Sequence, residues 1–167
     1  MSKRQSLTSI DFDFGVGEII PATQEAHHND EFEGQVRKTE KEGLLQFKNT
    51  LSHDLDSRLQ SNESFPSDGE VFVFIVQYFA SEKEYSRRDV DNMAKTILDI
   101  LKRRFYRDDS QVKTLLVGKK LEKRVPQNFA YVAIKRLSIS QDVDALKISG
   151  LERSVTLFQE LKSKKLI

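Results

Sequence analysis

The sequence contains no cysteine, which excludes disulfide staples, thiolate metal sites and thiol nucleophiles. It also has no apolar run approaching the ~20 residues that a membrane-crossing helix needs. The opening stretch MSKRQSLTSIDFDF lacks the apolar core of a secretory signal, so an intracellular, cytoplasmic location is expected. Neither G-x-x-x-x-G-K-[ST] nor G-x-G-x-x-G occurs, and nothing supports nucleotide hydrolysis or dinucleotide binding. What remains is a polar chain of 167 residues, 38% hydrophobic, with a mean hydropathy of −0.53. That length suits one domain with a proper core.

Net charge is nearly absent as well, at +1, yet it conceals a segregation. Residues 83–136 hold 15 Lys or Arg against 7 Asp or Glu, whereas the remainder holds 12 against 19. A basic middle suggests a polyanionic partner, although two solvated helix faces that balance each other would give the same count.

Hydrophobic spacing organises the chain. GVGEIIPAT suggests a short strand ending at Pro21, followed by a polar loop through residue 43. Leu44, Phe47, Leu51, Leu55 and Leu59 recur at helical spacing. SNESFPSDGE is a turn, and VFVFIVQYFA reads as a central strand covered on both faces. SEKEYSRR is read as a loop, and a helix is predicted over about 91–105. QVKTLLVGKK and NFAYVAIKRL look like a strand pair joined by a basic loop, and Leu151, Val155, Phe158 and Leu161 predict a final helix. The expected division is an N-terminal segment (1–43), a core (44–137) and a C-terminal helical extension (138–167). The fold class is α/β (α+β), a small mixed sheet packed by helices.

The stretch RRDVDNMAKTILDILKRRFYRDDSQV, residues 87–112, carries Asp89, Asp91, Asp99, Asp108 and Asp109 among seven Arg or Lys residues. Each acidic pair has an ordinary explanation, as a helix N-cap or as a turn. Taken together they admit another. The strand after Asp108 and Asp109 can run back beside the helix, returning one of them toward Asp89 and Asp91 or toward the same pair in a second subunit. Three carboxylates from two segments make a hard-oxygen cluster for Mg²⁺ or Mn²⁺. Beside so many cations, such a cluster suits phosphodiester hydrolysis. Lys95 lies one helical turn from both Asp91 and Asp99, either in ordinary ion pairs or pointing into a site.

RRDVDNMAKTILDIL followed by DDSQV resembles the signature of the RusA family of Holliday junction resolvases, R-x-D-x-D-N-x-x-K-x-x-x-D-x-L and then D-D-x-Q. The resemblance implies a small α/β fold that dimerises and cuts four-way DNA junctions with Mg²⁺. It implies Asp89, Asp91 and Asp109 as catalytic carboxylates and metal ligands, and Lys95 as a catalytic lysine. Asn92, Asp99, Asp108 and Gln111 complete the signature as supporting residues. Arg87, Arg88, Lys102, Arg103, Arg104, Arg107, Lys119, Lys120, Lys123 and Arg124 are expected to hold the DNA backbone. The homodimer follows because paired symmetric cuts call for two equivalent sites. The rival readings are a non-cleaving branched-DNA-binding or scaffold protein of the same fold, and a nuclease with relaxed preference for flaps or nicks.

Other residues carry less. His27 and His28 lack a spaced partner and His53 lacks a nucleophile nearby, so all three are read as inert. Phe105 is expected in the core and Tyr106 at the border of an interface, the alternative being that both stack on unpaired bases.

Overall fold

The structure is a computed structural model, and it describes residues 10–23, 31–137 and Ser163, with residues 31–41 described as backbone. His27, His28 and the predicted C-terminal helix lie outside the described residues, Ser163 excepted.

β1 (Phe12–Val16) precedes α1 (Glu31–Leu59), β2 (Val71–Phe79), α2 (Glu82–Arg87) and α3 (Val90–Leu101). A 3-10 turn (Asp109–Gln111) then leads into β3 (Val112–Leu121) and β4 (Phe129–Arg136). The strands form one mixed sheet in the order β1-β4-β2-β3. β3 runs parallel to β2, and β4 runs antiparallel to both β2 and β1. A parallel pair needs a crossover, which α2 and α3 supply. The α+β class is therefore as the sequence indicates.

β2 is the central strand that its unbroken apolar run predicts, with Val71, Phe72, Val73, Ile75 and Phe79 buried. Against it pack Met93, Ala94, Ile97, Ile100 and Leu101 of α3, and Phe47 and Leu55 of α1. Phe12, Phe65 and Phe105 close one end of this core edge-to-face, with ring centroids 4.9–6.2 Å apart.

Five expectations change. First, α1 begins at Glu31, so residues 31–43 are helical rather than a loop. That stretch is mostly Glu, Lys, Arg and Gln, good helix formers, and with only Phe32 and Val36 as large apolar residues its periodicity is nearly silent. Second, SEKEYSRR contains α2; Ser81 caps it by accepting a hydrogen bond from the Glu84 N–H at 3.4 Å, the S-x-x-E pattern. Third, the first strand is FDFGV, earlier than expected. β1 pairs with β4, and Phe14, Val16 and Ile20 join the main core, which thus starts well before residue 44.

Fourth, α3 stops at Leu101, because Arg103 adopts φ 70° and turns the chain. Phe105 and Tyr106 are then driven fully inside, Tyr106 donating its hydroxyl to the Leu98 carbonyl at 3.0 Å. Phe105 is in the core as expected, whereas Tyr106, expected at the border of an interface, is buried with it. Fifth, β3 and β4 are not a hairpin, since β2 lies between them. The connection crosses the end of β2, where the Glu122 N–H meets the Phe79 carbonyl and the Asn128 side chain accepts from the Ala80 N–H, both at 2.9 Å.

Candidate active site and nucleic-acid interface

The residues of the signature collect at the two ends of α3. At its start, Asp89 occupies the N-cap position, but its side chain caps nothing. Asp91 follows in the first turn, exposed. Neither carboxylate takes a hydrogen bond or ion pair from any described residue. The helix dipole favours negative charge at this end, so two acids with all their oxygens unclaimed sit where they cost least. Their donor chemistry fits a hard cation such as Mg²⁺.

The approach to this end is braced from beneath. Lys119 of β3 donates its ammonium to the Tyr85 and Arg88 carbonyls, each at 2.8 Å, and lies 4.5 Å from the Tyr85 ring centroid. That ammonium is committed to holding residues 85–88. Gln77, fully buried in β2, pins the strap after β1. Its Oε1 accepts from the Ile20 N–H at 2.9 Å, and its Nε2 donates to the Glu18 and Phe129 carbonyls at 3.4 and 3.0 Å. Thr96 of α3 donates to the Pro21 carbonyl at 2.6 Å. Sequence reasoning missed Gln77, although one polar residue within VFVFIVQYFA was a signal, because a buried amide must find partners.

Lys95 is exposed one turn beyond Asp91 and makes no ion pair with a described residue. Its other sequence neighbour, Asp99, is taken by Lys48 of α1 at 2.8 Å. Asn92 is half-buried, its carbonyl accepting weakly from Thr96 at 3.4 Å.

At the far end, D-D-x-Q divides its acids between two tasks. Asp108 accepts from the Ser110 N–H at 3.0 Å, which holds its carboxyl below the usual range. Gln111 completes a capping box: its oxygen accepts from the Arg107 and Asp108 N–H groups, and its amide donates to the Ser67 and Gly69 carbonyls at 2.9 Å. This clasp fastens the start of β3 to the 62–70 turn. Asp109 takes no part in it. Its side chain is 68% exposed and pairs with Lys102 at 2.8 Å, which raises the lysine's pKa; exposed pairs of this kind are weak.

The two ends do not meet within one chain. From Asp91 to Lys102, which Asp109 touches, α3 covers about 16 Å at 1.5 Å per residue. Among the described residues no three His, Asp or Glu side chains are grouped for a metal ion. Asp109 thus lies apart from Asp89 and Asp91 in this chain: β3 begins at the C-terminal end of α3 and reaches the Asp89 end only at Lys119. The route through a second subunit remains.

The basic residues also separate. Arg104 is held by Asp56 at 2.7 and 3.0 Å, Arg107 by Asp68 at 2.9 Å, and Arg124 by Glu122 at 2.9 and 3.1 Å. Arg88 reaches Glu84 only at 3.5 Å, and its buried Nε has no partner. Arg87, Arg103, Lys120 and Lys123 are exposed, with no ion pair to a described residue. His53 is likewise exposed on α1, and no described helix is long and apolar enough to cross a membrane.

No curated protein matches the chain. The family model for endodeoxyribonuclease RusA matches residues 18–134, which include β2, β3, most of β4, and α1, α2 and α3. With that match extending over most of its length, and with the family's acidic signature intact on α3 and at the head of β3, the chain belongs to the RusA endodeoxyribonuclease family.

Proposed function

We propose that this chain is a Mg²⁺-dependent, structure-selective endodeoxyribonuclease that resolves four-way DNA junctions as a homodimer. The observation that carries the reading is the pair Asp89 and Asp91, unclaimed by any described residue at the N-terminus of α3. A pure DNA-binding surface gains nothing from bare carboxylates, since they repel phosphate. In a metal-dependent hydrolase they are required.

Asp89 and Asp91 of one subunit, with Asp109 of the other, would hold the ion. A two-fold axis across the middle of β3 exchanges the ends of α3, so each Asp109 comes to the partner's acidic pair and two equivalent sites result. β3 is suited to lie there: it is an edge strand, and Leu115 on it is 41% exposed. When bound, the cation polarises the scissile phosphate and lowers the pKa of a water. Lys95 stabilises the charge that builds on the phosphate oxygens. Arg87, Arg103, Lys120 and Lys123 hold flanking phosphates, while Lys119, Asp99, Asp108 and Gln111 position the elements that carry the site.

The test incubates purified protein with a synthetic four-way junction, a linear duplex, a flap and a nicked duplex, each with Mg²⁺ and with chelator. Symmetric cutting of the junction, lost with chelator, is expected. Junction binding without cutting would establish a scaffold protein of this fold. Equal cutting of flaps and nicks would establish a relaxed nuclease.

A further inference from the structure

Next to Asp89 the surface opens into a cavity of about 450 Å³ that the signature residues do not account for. Its walls are Ile19 and Pro21 of the strap, Gly43, Leu44 and Phe47 of α1, and Arg88. Its size lies within the range of small-molecule sites, and its make-up is theirs too: apolar walls with one cation.

Two details indicate that the space is kept open for a ligand. Gly43 lies inside α1, where glycine weakens a helix relative to alanine. A Cβ at that position would meet nothing within 4 Å, and the backbone there is not in the left-handed region. Neither packing against a described residue nor conformation therefore requires glycine, and the residue lies in the cavity lining. The second detail is Arg88. Its Nε is buried without a hydrogen-bond partner, and its contact with Glu84 is long at 3.5 Å. The side chain as a whole is 36% exposed and lines the cavity, and guanidinium pairs strongly with phosphate oxygens.

We propose that this cavity receives one unstacked nucleobase from the branch point, with its phosphate on Arg88. The inference rests on the junction-nuclease reading and adds a recognition subsite to it. Flat apolar walls accept any base face, and extrusion costs least for a base whose pairing is already disturbed, as at a crossover. Arg88 adjoins Asp89 in the chain, so the captured nucleotide would fix which phosphate reaches the acidic pair. Glu18 also lines the cavity, and its carboxylate can accept from a base N–H.

The test measures junction binding in chelator, so that cutting does not interfere, for the full-length wild type, Gly43→Phe, Gly43→Ala and Arg88→Gln. Each protein is titrated against an intact four-way junction and against junctions with single abasic sites stepped through the branch-point nucleotides. Gly43→Phe fills the cavity and is expected to weaken binding of the intact junction roughly tenfold, the scale of one lost base stack. Gly43→Ala should bind like wild type and melt higher, a check that α1 tolerates the position. At one abasic position the difference between wild type and Gly43→Phe should vanish, and Arg88→Gln should weaken both junctions. If Gly43→Phe binds every junction as wild type does, or is weakened equally on all abasic junctions, the subsite is refuted. Wild-type binding without cutting in Mg²⁺ would instead refute the enzyme reading, and the abasic comparison would still report on the cavity.

Discussion

A pair of inactive variants tests the shared site directly. Asp91→Asn removes one acid from the start of α3, and Asp109→Asn removes the acid at the head of β3. Loss of a metal ligand should cost each homodimer more than about 100-fold in cutting, since even outer-shell partners cost 10–100-fold. The informative sample is the mixture. Within one chain the two positions are separated by about 16 Å of helix, too far for a common ion, so in the proposed homodimer each site draws Asp109 from the partner. In a heterodimer, one site then receives both substitutions and the other receives neither.

Random mixing at equal concentration makes about half the dimers heterodimers, with one intact site of two, so about a quarter of wild-type sites are restored. The assay is cutting of an end-labelled four-way junction after co-refolding or subunit exchange. The expected product is a junction nicked on one strand, at roughly a quarter of the wild-type rate per subunit. If each site were built within one chain, every heterodimer would carry two damaged sites and the mixture would stay as inactive as its components. That result would refute the reasoning.

Gln111 of the far clasp and Asp109, which stands outside it, should respond differently to substitution. Gln111→Ala removes four hydrogen bonds to the backbone and should lower unfolding stability by about 2 kcal/mol in urea titration. Asp109→Asn should leave the urea midpoint unchanged while abolishing cutting. Arg103 sits at φ 70°, where a non-glycine residue costs about 1–2 kcal/mol. Arg103→Gly relieves this but adds about 0.4–1 kcal/mol of freedom to the unfolded chain, for a net gain of about 0.5 kcal/mol. The same variant should reduce the salt slope of DNA binding by about 1, read as log K against log salt. Finally, Arg124 holds the Glu122 carboxyl down to about 2. The folded chain keeps that carboxylate charged after the unfolded chain has protonated it near its ordinary value of about 4.3. Its stabilisation is thus present above that value and lost as pH falls toward 2. The stability difference between wild type and Glu122→Gln, followed by acid titration, should vanish over that window.

The legible parts of the fold were those with strong local signals. α3 is predicted by apolar spacing, and β2 by its unbroken apolar run, although only the face of Val71, Val73, Ile75 and Phe79 is fully buried, while Phe74, Val76 and Tyr78 on the other are half-buried. The signature assigns Asp108 and Asp109 different tasks, and their surroundings differ: Asp108 is tied into a capping box, whereas Asp109 projects and pairs with Lys102. α2 was available in S-x-x-E but is short, with no buried side chain to give it a periodic stripe. The N-terminal half of α1 was invisible because charged helix formers carry no hydrophobic period. The separation of β3 from β4 by β2 is a pairing choice that no local pattern encodes.

By itself, then, the sequence determined the family, since motif spacing is a property of the chain, and which elements have an apolar face to bury. Only the tertiary structure decided where the chemistry can occur. Folding carries β3 alongside α3 from its C-terminal end, and so holds Asp109 a helix length away from Asp89 and Asp91. It also decided which cations are free: Lys119, Arg104 and Arg124 have the same charge as Arg87 and Lys123, but the first three are engaged by carbonyls or carboxylates brought in by the fold. Charge is written residue by residue, whereas its availability depends on neighbours distant in the chain, and those are set by packing.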